Sequence, residues 1–321
     1  MNYRPLGRTG LKVSVIGFGA WGIGGNAGGA VAYGPTDDGE SARAVERAVQ
    51  RGVTLFDTAD LYGYGHSEEL LGEVLAPRRP DVVIATKVGM IEGGSRQDFS
   101  RRHIMESVTA SLRRLRTDYL DIYQLHNPPR EVLECRECPL DVMEELRGQK
   151  VVRAVGISLR APEDGRDIVD RFPVGCIQVN FNMSDQRSAE SGLFARCAEK
   201  GVGIIVRTPL AGGFLTGRYS DPTAFGEFDQ RRRWSKAQVR RWNQAGKFFA
   251  AVMARHPEDT PSQFALRYCL SFPQTSTAIP GMLTAAHVDE NTAAGERQGL
   301  DESELADISR VYRSVEFFVK E

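Results

Sequence analysis

The sequence predicts an α/β protein in which eight parallel strands, each followed by a helix, close into a barrel behind an N-terminal β-hairpin. Eight short apolar runs alternate with amphipathic stretches along the 321 residues, and this alternation is typical of strand–helix units. The runs are continuously apolar, as buried parallel strands are. Eight such units in about 300 residues fit a closed (β/α)8 barrel. We expect one domain spanning residues 1–321.

The elements follow in a regular order. Residues 3–6 and 12–15 flank a Thr9-Gly10 turn, which is a hairpin signal. The predicted barrel strands are 15–18, 53–57, 82–87, 120–126, 154–158, 176–180, 203–207 and 277–280. The predicted helices are 41–51, 67–75, 102–116, 139–148, 162–172, 185–200 and 261–272. Ser67, followed by two glutamates, resembles the N-cap of the second helix.

The alternative architecture is an open, doubly wound sheet with a site where the strand order reverses. A glycine cluster follows the first strand: Gly17, Gly19, Gly22, Gly24 and Gly25. No helix begins at its end, because Gly28, Gly29 and a Gly34-Pro35 break come next. A Walker lysine pattern is also absent from the sequence. We therefore interpret this segment as a flexible loop and favour the barrel.

Charge and composition exclude several classes of partner. The chain has 41 basic and 42 acidic residues and a formal net charge of −1, which gives no reason to expect nucleic acid or an acidic membrane as a partner. No run approaches the ~18 apolar residues of a membrane span, and the N-terminus lacks the layout of a signal peptide. An odd number of cysteines, five, argues against a disulfide framework. We expect a cytoplasmic protein.

Two of the cysteines, Cys135 and Cys138, form a lone C-x-x-C pair. Zinc usually takes four ligands, and the sequence shows no second pair of that kind. We therefore predict no metal site. A redox role for the pair stays open beside the simpler reading that the spacing is incidental.

Polar side chains follow three successive predicted strands. Asp57 ends the second strand and Tyr62 comes shortly after it, Lys87 ends the third strand, and His126 ends the fourth. Because the C-terminal ends of parallel strands meet at one face of a barrel, we expect these four side chains to converge. Each alone could be structural: a helix cap, a loop aromatic, a surface charge or a satisfied polar residue.

Together the four residues form a proton-transfer group. A tyrosine has a pKa of about 10, and a nearby ammonium favours the phenolate, so we expect Lys87 to lower the pKa of Tyr62. Asp57 would hold Lys87 as an ion pair, and His126 could donate a hydrogen bond to a substrate oxygen or relay a proton. Such a group can protonate an oxygen that develops negative charge. Since it supplies no hydride, carbonyl reduction would need a nicotinamide cofactor.

Specific motifs carry a family resemblance. Residues 56–63 (Phe-Asp-Thr-Ala-Asp-Leu-Tyr-Gly) and 67–72 (Ser-Glu-Glu-Leu-Leu-Gly) resemble the signature of the aldo-keto reductase superfamily. Lys87 and His126 match its other two catalytic positions, and residues 6–14 resemble its N-terminal hairpin. The resemblance covers nearly the whole chain. It implies a TIM barrel and NAD(P)H-dependent reduction of an aldehyde or ketone, with the tyrosine as general acid.

The resemblance also implies where the cofactor binds. Ser158 and Gln178 match positions that hold the nicotinamide carboxamide, while Leu159 stands where the family often has asparagine. Arg207 replaces an aromatic residue beneath the nicotinamide ring, and a planar guanidinium can also stack. The loop from Thr208 matches the one whose backbone N–H groups face the phosphates. The remaining cofactor positions that we expect are Gly19, Ala20, Trp21, Leu210, Gly212, Gly281, Glu290 and Asn291.

The sequence favours one type of cofactor over the other by a small margin. Relatives with a Pro-Gly segment often carry an arginine at the position of Leu283, where it would pair with the 2′-phosphate of NADP, a strong charge-assisted contact. Arg218 and His287 could substitute for it, or could be ordinary surface charges. NADP(H), the superfamily default, stays first by a small margin, and NAD(H) stays plausible.

Two further features concern the mouth of the predicted barrel. Trp21 either walls the substrate pocket or packs at its rim. A long irregular segment begins at Pro209 and runs through Gly217, Pro222 and Gly226. Because loops of this length are usually functional or mobile, we interpret it as a lid over a bound cofactor.

Three functions remain open at this point. The first is a reductase that acts on a small-molecule carbonyl such as a keto-sugar or a secondary-metabolite ketone. The second is an NAD-dependent sugar or alcohol dehydrogenase, for which Leu283 is the best support. The third is a nucleotide-binding regulatory subunit with little turnover, because some proteins of this fold have that role.

Overall fold

Eight parallel strands form one sheet whose first and last strands meet, so the predicted (β/α)8 barrel is confirmed. The computed structural model describes residues 1–26, 32–219 and 223–319. The strands are β1 (Tyr3–Pro5), β2 (Lys12–Ser14), β3 (Phe18–Gly19), β4 (Leu55–Asp57), β5 (Val83–Val88), β6 (Met90–Ile91), β7 (Arg96–Gln97), β8 (Leu120–His126), β9 (Val152–Ser158), β10 (Cys176–Asn180), β11 (Gly203–Arg207) and β12 (Thr275–Ala278). The helices are α1 (Asp38–Gln50), α2 (His66–Leu75), α3 (Arg101–Arg114), α4 (Arg130–Leu133), α5 (Pro139–Gly148), α6 (Gly165–Arg171), α7 (Arg187–Glu190), α8 (Leu193–Lys200), α9 (Lys236–Asn243), α10 (Ala245–Phe248), α11 (Ala250–Met253), α12 (Pro261–Leu270), α13 (Ala285–Ala294) and α14 (Glu302–Ser314).

The barrel is closed by backbone hydrogen bonds between the two ends of the sheet. Its strands run in the order β3, β4, β5, β8, β9, β10, β11, β12. Gly17 N donates to Ala278 O at 2.8 Å and Ala278 N donates to Val15 O at 2.9 Å. Gly19 N then donates to Pro280 O at 3.0 Å. With these bonds the sheet has no free edge along the barrel wall.

The predicted hairpin is present and plugs the N-terminal end of the barrel. Strands β1 and β2 pair antiparallel, and Leu6, Leu11 and Val13 are buried in a cluster with strand residues such as Ile122 and Ile205. A second, larger cluster lies between the strands and the helices. Because the hairpin fills one end, a ligand has access to the barrel only from the C-terminal ends of the strands.

The first and last barrel strands lie differently from the predicted ranges. The apolar run 15–18 was assigned to one strand, but Val15 N donates to Asn2 O at 3.0 Å and so extends the hairpin, while β3 begins at Phe18. The last strand begins earlier, at Thr275, and ends before Pro280, because proline lacks the N–H that a ladder needs. Thr275 and Ser276 are buried, so an apolar pattern could not locate the start of this strand.

The helix predictions need three corrections. Ser67 is not an N-cap: Gly65 takes that place, and the buried Ser67 hydroxyl donates to Ala20 O at 2.9 Å. The range 185–200 is broken by Gly192 at φ 77°, and the range 162–172 begins as a 3-10 turn, Pro162–Asp164. The helices that were not predicted are α4, α9, α10, α11, α13 and α14.

The glycine-rich segment after β3 is packed where the structure describes it. Gly22–Gly24 form a buried 3-10 turn, and the flexibility expected of this loop stays a prediction. Gly28, Gly29 and Ala30 lie outside the described residues. In the described ranges, no helix has both the length and the apolar character that crossing a membrane requires.

Candidate active site

A cavity of about 540 Å³ opens at the C-terminal ends of the barrel strands. This is the face on which barrel enzymes carry their sites, and the volume lies in the range of small-molecule pockets. The sequence-predicted residues that line it are Gly19, Trp21, Asp57, Tyr62, His126, Gln178, Arg207, Thr208, Leu210, Gly212, Gly281, Leu283 and His287. The predicted residues that do not line it are Ala20, Lys87, Ser158, Arg218, Glu290 and Asn291.

Lys87 connects the other members of the predicted catalytic group. Its ammonium is completely buried, and Nζ donates to Asp57 Oδ1 at 2.6 Å and to the Thr58 carbonyl at 2.8 Å. Nζ also lies 3.1 Å from the Tyr62 hydroxyl. The expected ion pair between Asp57 and Lys87 is therefore present, and the lysine reaches the tyrosine directly. This arrangement places a buried cation in contact with both its counter-ion and a tyrosine hydroxyl, and Asp57 and Tyr62 line the cavity.

Two glycines fix the position of Tyr62. The tyrosine begins the 3-10 turn Tyr62–Gly65, in which Gly63 has φ 59°. A Cβ on Gly63 would lie 2.1 Å from the Gly24 carbonyl oxygen, and a Cβ on Gly24 would lie 2.9 Å from the Tyr62 carbonyl carbon. Only glycine allows the two loops this close approach. The packing of the loop after β3 against the loop after β4 thus sets where the hydroxyl points.

His126 ends β8 and faces Tyr62. The two rings are 5.9 Å apart between centroids and nearly perpendicular. Burial, together with the nearby cations Lys87 and Arg207, holds the pKa of His126 well below its usual value, so the imidazole is neutral. In the described part of the chain no partner bonds its Nδ1. A neutral imidazole can still donate one hydrogen bond to a ligand oxygen.

Burial raises the pKa of Tyr62 above its usual value. The positive charge of Lys87 acts to lower the pKa of Tyr62, as expected, but burial outweighs it and the net direction is upward. For Lys87, burial acts to lower the pKa, but Asp57 and Tyr62 together outweigh it and leave the pKa raised. The site thus holds a protonated tyrosine beside a charged lysine. The lysine favours the phenolate relative to the same buried tyrosine without a cation.

The second oxygen of Asp57 is also bonded. Gln178 Nε2 donates to Asp57 Oδ2 at 2.7 Å, and Gln124 Nε2 lies 3.4 Å from the same oxygen. Gln178 was expected only as a carboxamide contact. Because it lines the cavity, its remaining amide oxygen is the atom available to a ligand. Gln124 is buried and was not predicted as a site residue.

Arg207 sits at the end of β11 and ties the ends of three other strands together. Its Nε donates to Asn180 Oδ1 at 2.8 Å, and Nη1 donates to Asn127 Oδ1 at 2.9 Å and to Ser158 Oγ at 2.7 Å. Nη2 donates to the Leu159 carbonyl at 2.7 Å. The predicted stacking position therefore holds a guanidinium that is anchored in its plane by neutral oxygens.

Sequence reasoning missed Asn127 and Asn180, which both line the cavity and both accept a hydrogen bond from Arg207. Each stands at the end of a barrel strand, one residue past His126 and at the last position of β10 respectively. That placement is the same signal that identified Asp57 and His126. Ser158, in contrast, is buried behind the guanidinium.

At the far end of the cavity, the two residues proposed as substitute cations contact each other. Arg218 Nη1 lies 2.9 Å from His287 Nε2, and Arg218 Nη2 lies 3.0 Å from Glu290 Oε2. Burial, with the positive Arg218 beside it, lowers the pKa of His287. The charge of Arg218 is therefore already balanced by a carboxylate. Asn291 is buried, and Leu283 lines the cavity.

The segment after β11 covers the cavity from one side. Arg231 forms an ion pair with Asp229 at 2.6 Å and donates to the Gly212 carbonyl at 3.0 Å. Its guanidinium also lies 4.6 Å from the centre of the Tyr33 ring, which ties this segment to the loop after β3. Tyr33 in turn packs against Trp21 at 4.7 Å between centroids. The lid that we predicted therefore has the right position, and its motion stays a prediction. Pro222 lies outside the described residues.

The other clusters of metal-ligating or nucleophilic side chains give little support for a functional site. Among the described residues, one group of potential metal ligands lies close together, His256, Glu258 and Asp259, but Arg267 and Arg297 both bind Asp259. All five cysteines are free. Cys135 is exposed and its thiol donates to backbone carbonyls, and burial raises the pKa of Cys138. A raised pKa disfavours the reactive thiolate.

The donor groups of the cavity fit a nicotinamide dinucleotide. Among the described residues, three arginines line the wall, Arg207, Arg231 and Arg233, and one carboxylate, Asp57, which is paired with Lys87. Arg231 is itself paired with Asp229 behind the wall, which leaves Arg207 and Arg233 as the positive charges. A positive wall suits the diphosphate of such a cofactor. Gly212 and Gly213, with positive φ, leave the backbone of the loop after β11 accessible to it.

Comparisons with known proteins agree with this geometry. The model of the aldo/keto reductase family matches residues 15–313. L-galactose dehydrogenase of Arabidopsis thaliana is 30% identical over 324 residues, covering 97% of this chain and 94% of that protein. A probable voltage-gated potassium channel subunit beta of the same plant is 28% identical over 321 residues, covering 92% and 91%. The holo form of an aldo-keto reductase from Bacillus halodurans superposes with a TM-score of 0.80 at 29% identity, covering 100% of this chain and 98% of that one.

Proposed function

The chain belongs to the aldo/keto reductase family, and on this basis we propose that it uses NAD(P)H to reduce a small-molecule aldehyde or ketone to an alcohol. The observation that carries the proposal is the contact of Lys87 Nζ with both Asp57 Oδ1 and the Tyr62 hydroxyl, at 2.6 and 3.1 Å. A proton donor held beside a buried cation, at the end of a ligand-sized cavity, is what carbonyl reduction requires.

Each of the four residues has one role in this reaction. The nicotinamide cofactor, when bound, supplies a hydride to the carbonyl carbon. Tyr62 donates its hydroxyl proton to the carbonyl oxygen as negative charge develops there. Lys87 stabilises the phenolate that remains, and Asp57 keeps Lys87 charged and in place. His126, neutral and adjacent, donates a hydrogen bond to the same oxygen and orients the carbonyl.

The chain offers several residues to hold the cofactor. The amide oxygen of Gln178 and the guanidinium of Arg207 are available to the nicotinamide end, and the backbone of residues 208–213 to the phosphates. We favour NADP(H) by a small margin because it is the common cofactor of the family. NAD(H) stays plausible, because Leu283 replaces an expected cation and Glu290 already balances Arg218. We also propose a cytoplasmic location, with which five unpaired cysteines are consistent.

Two other functions are supported by particular observations. An NAD-dependent sugar or alcohol dehydrogenase is favoured by Leu283 and by similarity to a plant L-galactose dehydrogenase. A regulatory subunit with little turnover is favoured by similarity to a probable potassium channel subunit. The complete group of Asp57, Lys87, Tyr62 and His126 supports an enzyme over a regulatory subunit.

The experiment that tests the proposal is a parallel titration of the purified protein with NADPH and NADH, following nicotinamide fluorescence. We expect saturable binding of at least one, with NADPH the tighter. Preference for NADH would direct the search to sugars and alcohols in the oxidative direction. Absence of binding by both would refute the enzyme assignment. Binding without turnover of any carbonyl or alcohol would favour the regulatory alternative.

A further inference from the structure

Arg207 is a cation whose hydrogen-bond partners are all neutral. Arg207 is partly exposed where it lines the cavity. Among the described residues, the four cationic side chains that are almost fully buried each contact a carboxylate: Lys87 with Asp57, Arg79 with Asp121, Arg231 with Asp229 and Arg267 with Asp259. Arg207 instead donates to two asparagine side chains, one serine hydroxyl and one backbone carbonyl. In the described part of the chain no carboxylate forms an ion pair with it, so its positive charge is not neutralised by direct contact.

The position of this charge is fixed. Its partners come from the ends of β8, β9 and β10, and four of the five guanidinium hydrogens are used. Arg207 lines the same cavity as Tyr62 and His126. Its field reaches both, since it contributes to the lowered pKa of His126 and opposes the rise in the pKa of Tyr62.

During hydride transfer, the positive charge of Arg207 affects the two redox forms of the nicotinamide ring differently. A carbonyl whose oxygen contacts Tyr62 must have its carbon about 3–3.5 Å from the hydride donor. The nicotinamide ring therefore has to enter the cavity that Arg207 lines. Reduced nicotinamide is neutral, and it becomes a pyridinium cation when its hydride leaves with the electron pair. The hydride goes to the carbonyl carbon and the proton from Tyr62 goes to the oxygen. The ring thus gains a positive charge beside a fixed positive charge.

We propose that Arg207 determines selectivity for the redox state of the cofactor, so that the protein binds the reduced form more tightly than the oxidised form. This inference rests on the proposed function and adds to it a preferred direction of reaction. Repulsion between like charges in a partly buried site is expected to separate the two affinities by about tenfold or more. Weaker binding of the oxidised form speeds its release and favours carbonyl reduction over alcohol oxidation.

A purely structural role for Arg207 predicts a different result. In that case the guanidinium only ties Asn127, Ser158 and Asn180 together, and replacing it would weaken binding of both cofactor forms to the same extent. Charge and hydrogen bonding can be separated by two substitutions. Arg207→Lys keeps the charge and loses most of the hydrogen bonds, and Arg207→Gln loses the charge and keeps a polar side chain.

The test is equilibrium binding of NADPH and NADP+, measured by calorimetry without any substrate. For the wild-type protein we expect Kd for NADP+ to exceed Kd for NADPH by about tenfold or more. Arg207→Lys should preserve that ratio, and Arg207→Gln should reduce it at least about threefold. Arg233→Gln is the matched control, because Arg233 is an exposed arginine on the same cavity wall. The Arg233→Gln substitution should change Kd for NADPH and Kd for NADP+ by the same factor.

Several outcomes would overturn the inference. A wild-type ratio of Kd for NADP+ to Kd for NADPH near one would refute the inference. This result needs no variant, so the test still works if Arg207→Gln fails to fold. An unchanged ratio in folded Arg207→Gln would also refute it and leave the structural role. If the wild-type protein binds neither NADPH nor NADP+, nor NADH and NAD+ in the same assay, the proposed function itself fails.

Discussion

Gln178 Nε2 donates a 2.7 Å hydrogen bond to Asp57 Oδ2, the oxygen that Lys87 leaves free. A residue expected to touch only the cofactor therefore also holds the aspartate of the catalytic group. Through this bond, strand β10 stabilises the ion pair between β4 and β5. The residue proposed to contact the cofactor and the group proposed to transfer the proton are thus joined by a hydrogen bond.

Replacing Gln178 by glutamate would test this unit. Two carboxylates at hydrogen-bond distance cannot both ionise without strong repulsion, so the folded protein would hold an extra proton there. The pKa of the introduced carboxyl would then be raised in the folded state, so the variant would lose stability as pH rises. We expect Gln178→Glu to lower the free energy of unfolding by about 2 kcal/mol or more at pH 8 and by less at pH 5. Urea unfolding at both pH values measures this, and equal losses would contradict it.

Asp60 gives a second pH-dependent prediction, away from the cavity wall. Burial raises the pKa of this carboxyl from its usual 3.8 to about 8, and the nearby Glu68 adds to the rise. Its Oδ1 has no hydrogen-bond partner in the described part of the chain. The folded protein thus keeps Asp60 neutral at pH values where the unfolded chain ionises it. This contribution to stability is complete below pH 3.8 and declines as pH rises to about 8.

Asp60→Asn mimics the neutral carboxyl at every pH. We expect the variant to exceed the wild type in stability by about 1 kcal/mol or more at pH 8.5, with a much smaller difference at pH 4. Thermal unfolding at the two pH values checks the prediction. A difference that does not change with pH would mean that the carboxyl is ionised in the folded protein.

Tyr62→Phe should remove the proton donor and leave the cavity intact. We expect kcat for carbonyl reduction to fall about 10²–10⁴-fold, while the affinity for NADPH in fluorescence titration stays unchanged. Tyr64→Phe is the matched control, because Tyr64 lies in the same 3-10 turn but is 55% exposed. Activity that survives in Tyr62→Phe would assign the proton transfer to another group.

Gly63→Ala tests whether the close approach of two loops positions Tyr62. The added methyl would meet the Gly24 carbonyl oxygen at 2.1 Å, so the turn that carries Tyr62 must shift, and we expect kcat to fall at least about tenfold. Gly10→Ala controls for backbone strain. Gly10 also has positive φ, 77°, but nothing lies within 4 Å of its Cβ position. This control should lose about 1 kcal/mol of stability and keep its activity; equal kcat in both variants would contradict the positioning argument.

The barrel and the convergence of four polar residues could be predicted from the sequence for physical reasons. Strands buried on both faces are continuously apolar, and their C-terminal ends share one face, so Asp57, Lys87 and His126 had to approach one another. The last strand was predicted two residues too late, at 277–280, because Thr275 and Ser276 at its buried start are not apolar. Helix α14 carries a capping box between Asp301 and Glu304, a local signal from which it could have been found.

The contacts of Arg207 could not be predicted in the same way. Its partners Asn127, Ser158 and Asn180 come from three other strands, and only the register of the closed barrel brings them together. The raised pKa of Tyr62 has a similar origin, since it depends on how completely the tyrosine is buried. A sequence shows that Lys87 is near, but it does not show how much water remains around the hydroxyl.

The measurement that tests the central claim most directly is isotope transfer from NADPH carrying deuterium at the transferred position of C4. The protein would be incubated with this cofactor and a panel of aldehydes and ketones, and the alcohols analysed by mass spectrometry. We predict one deuterium on the carbinol carbon of at least one product, with little product from Tyr62→Phe. Deuterium transfer that proceeds equally well in Tyr62→Phe, or no transfer from labelled NADPH or NADH to any carbonyl, would contradict the account.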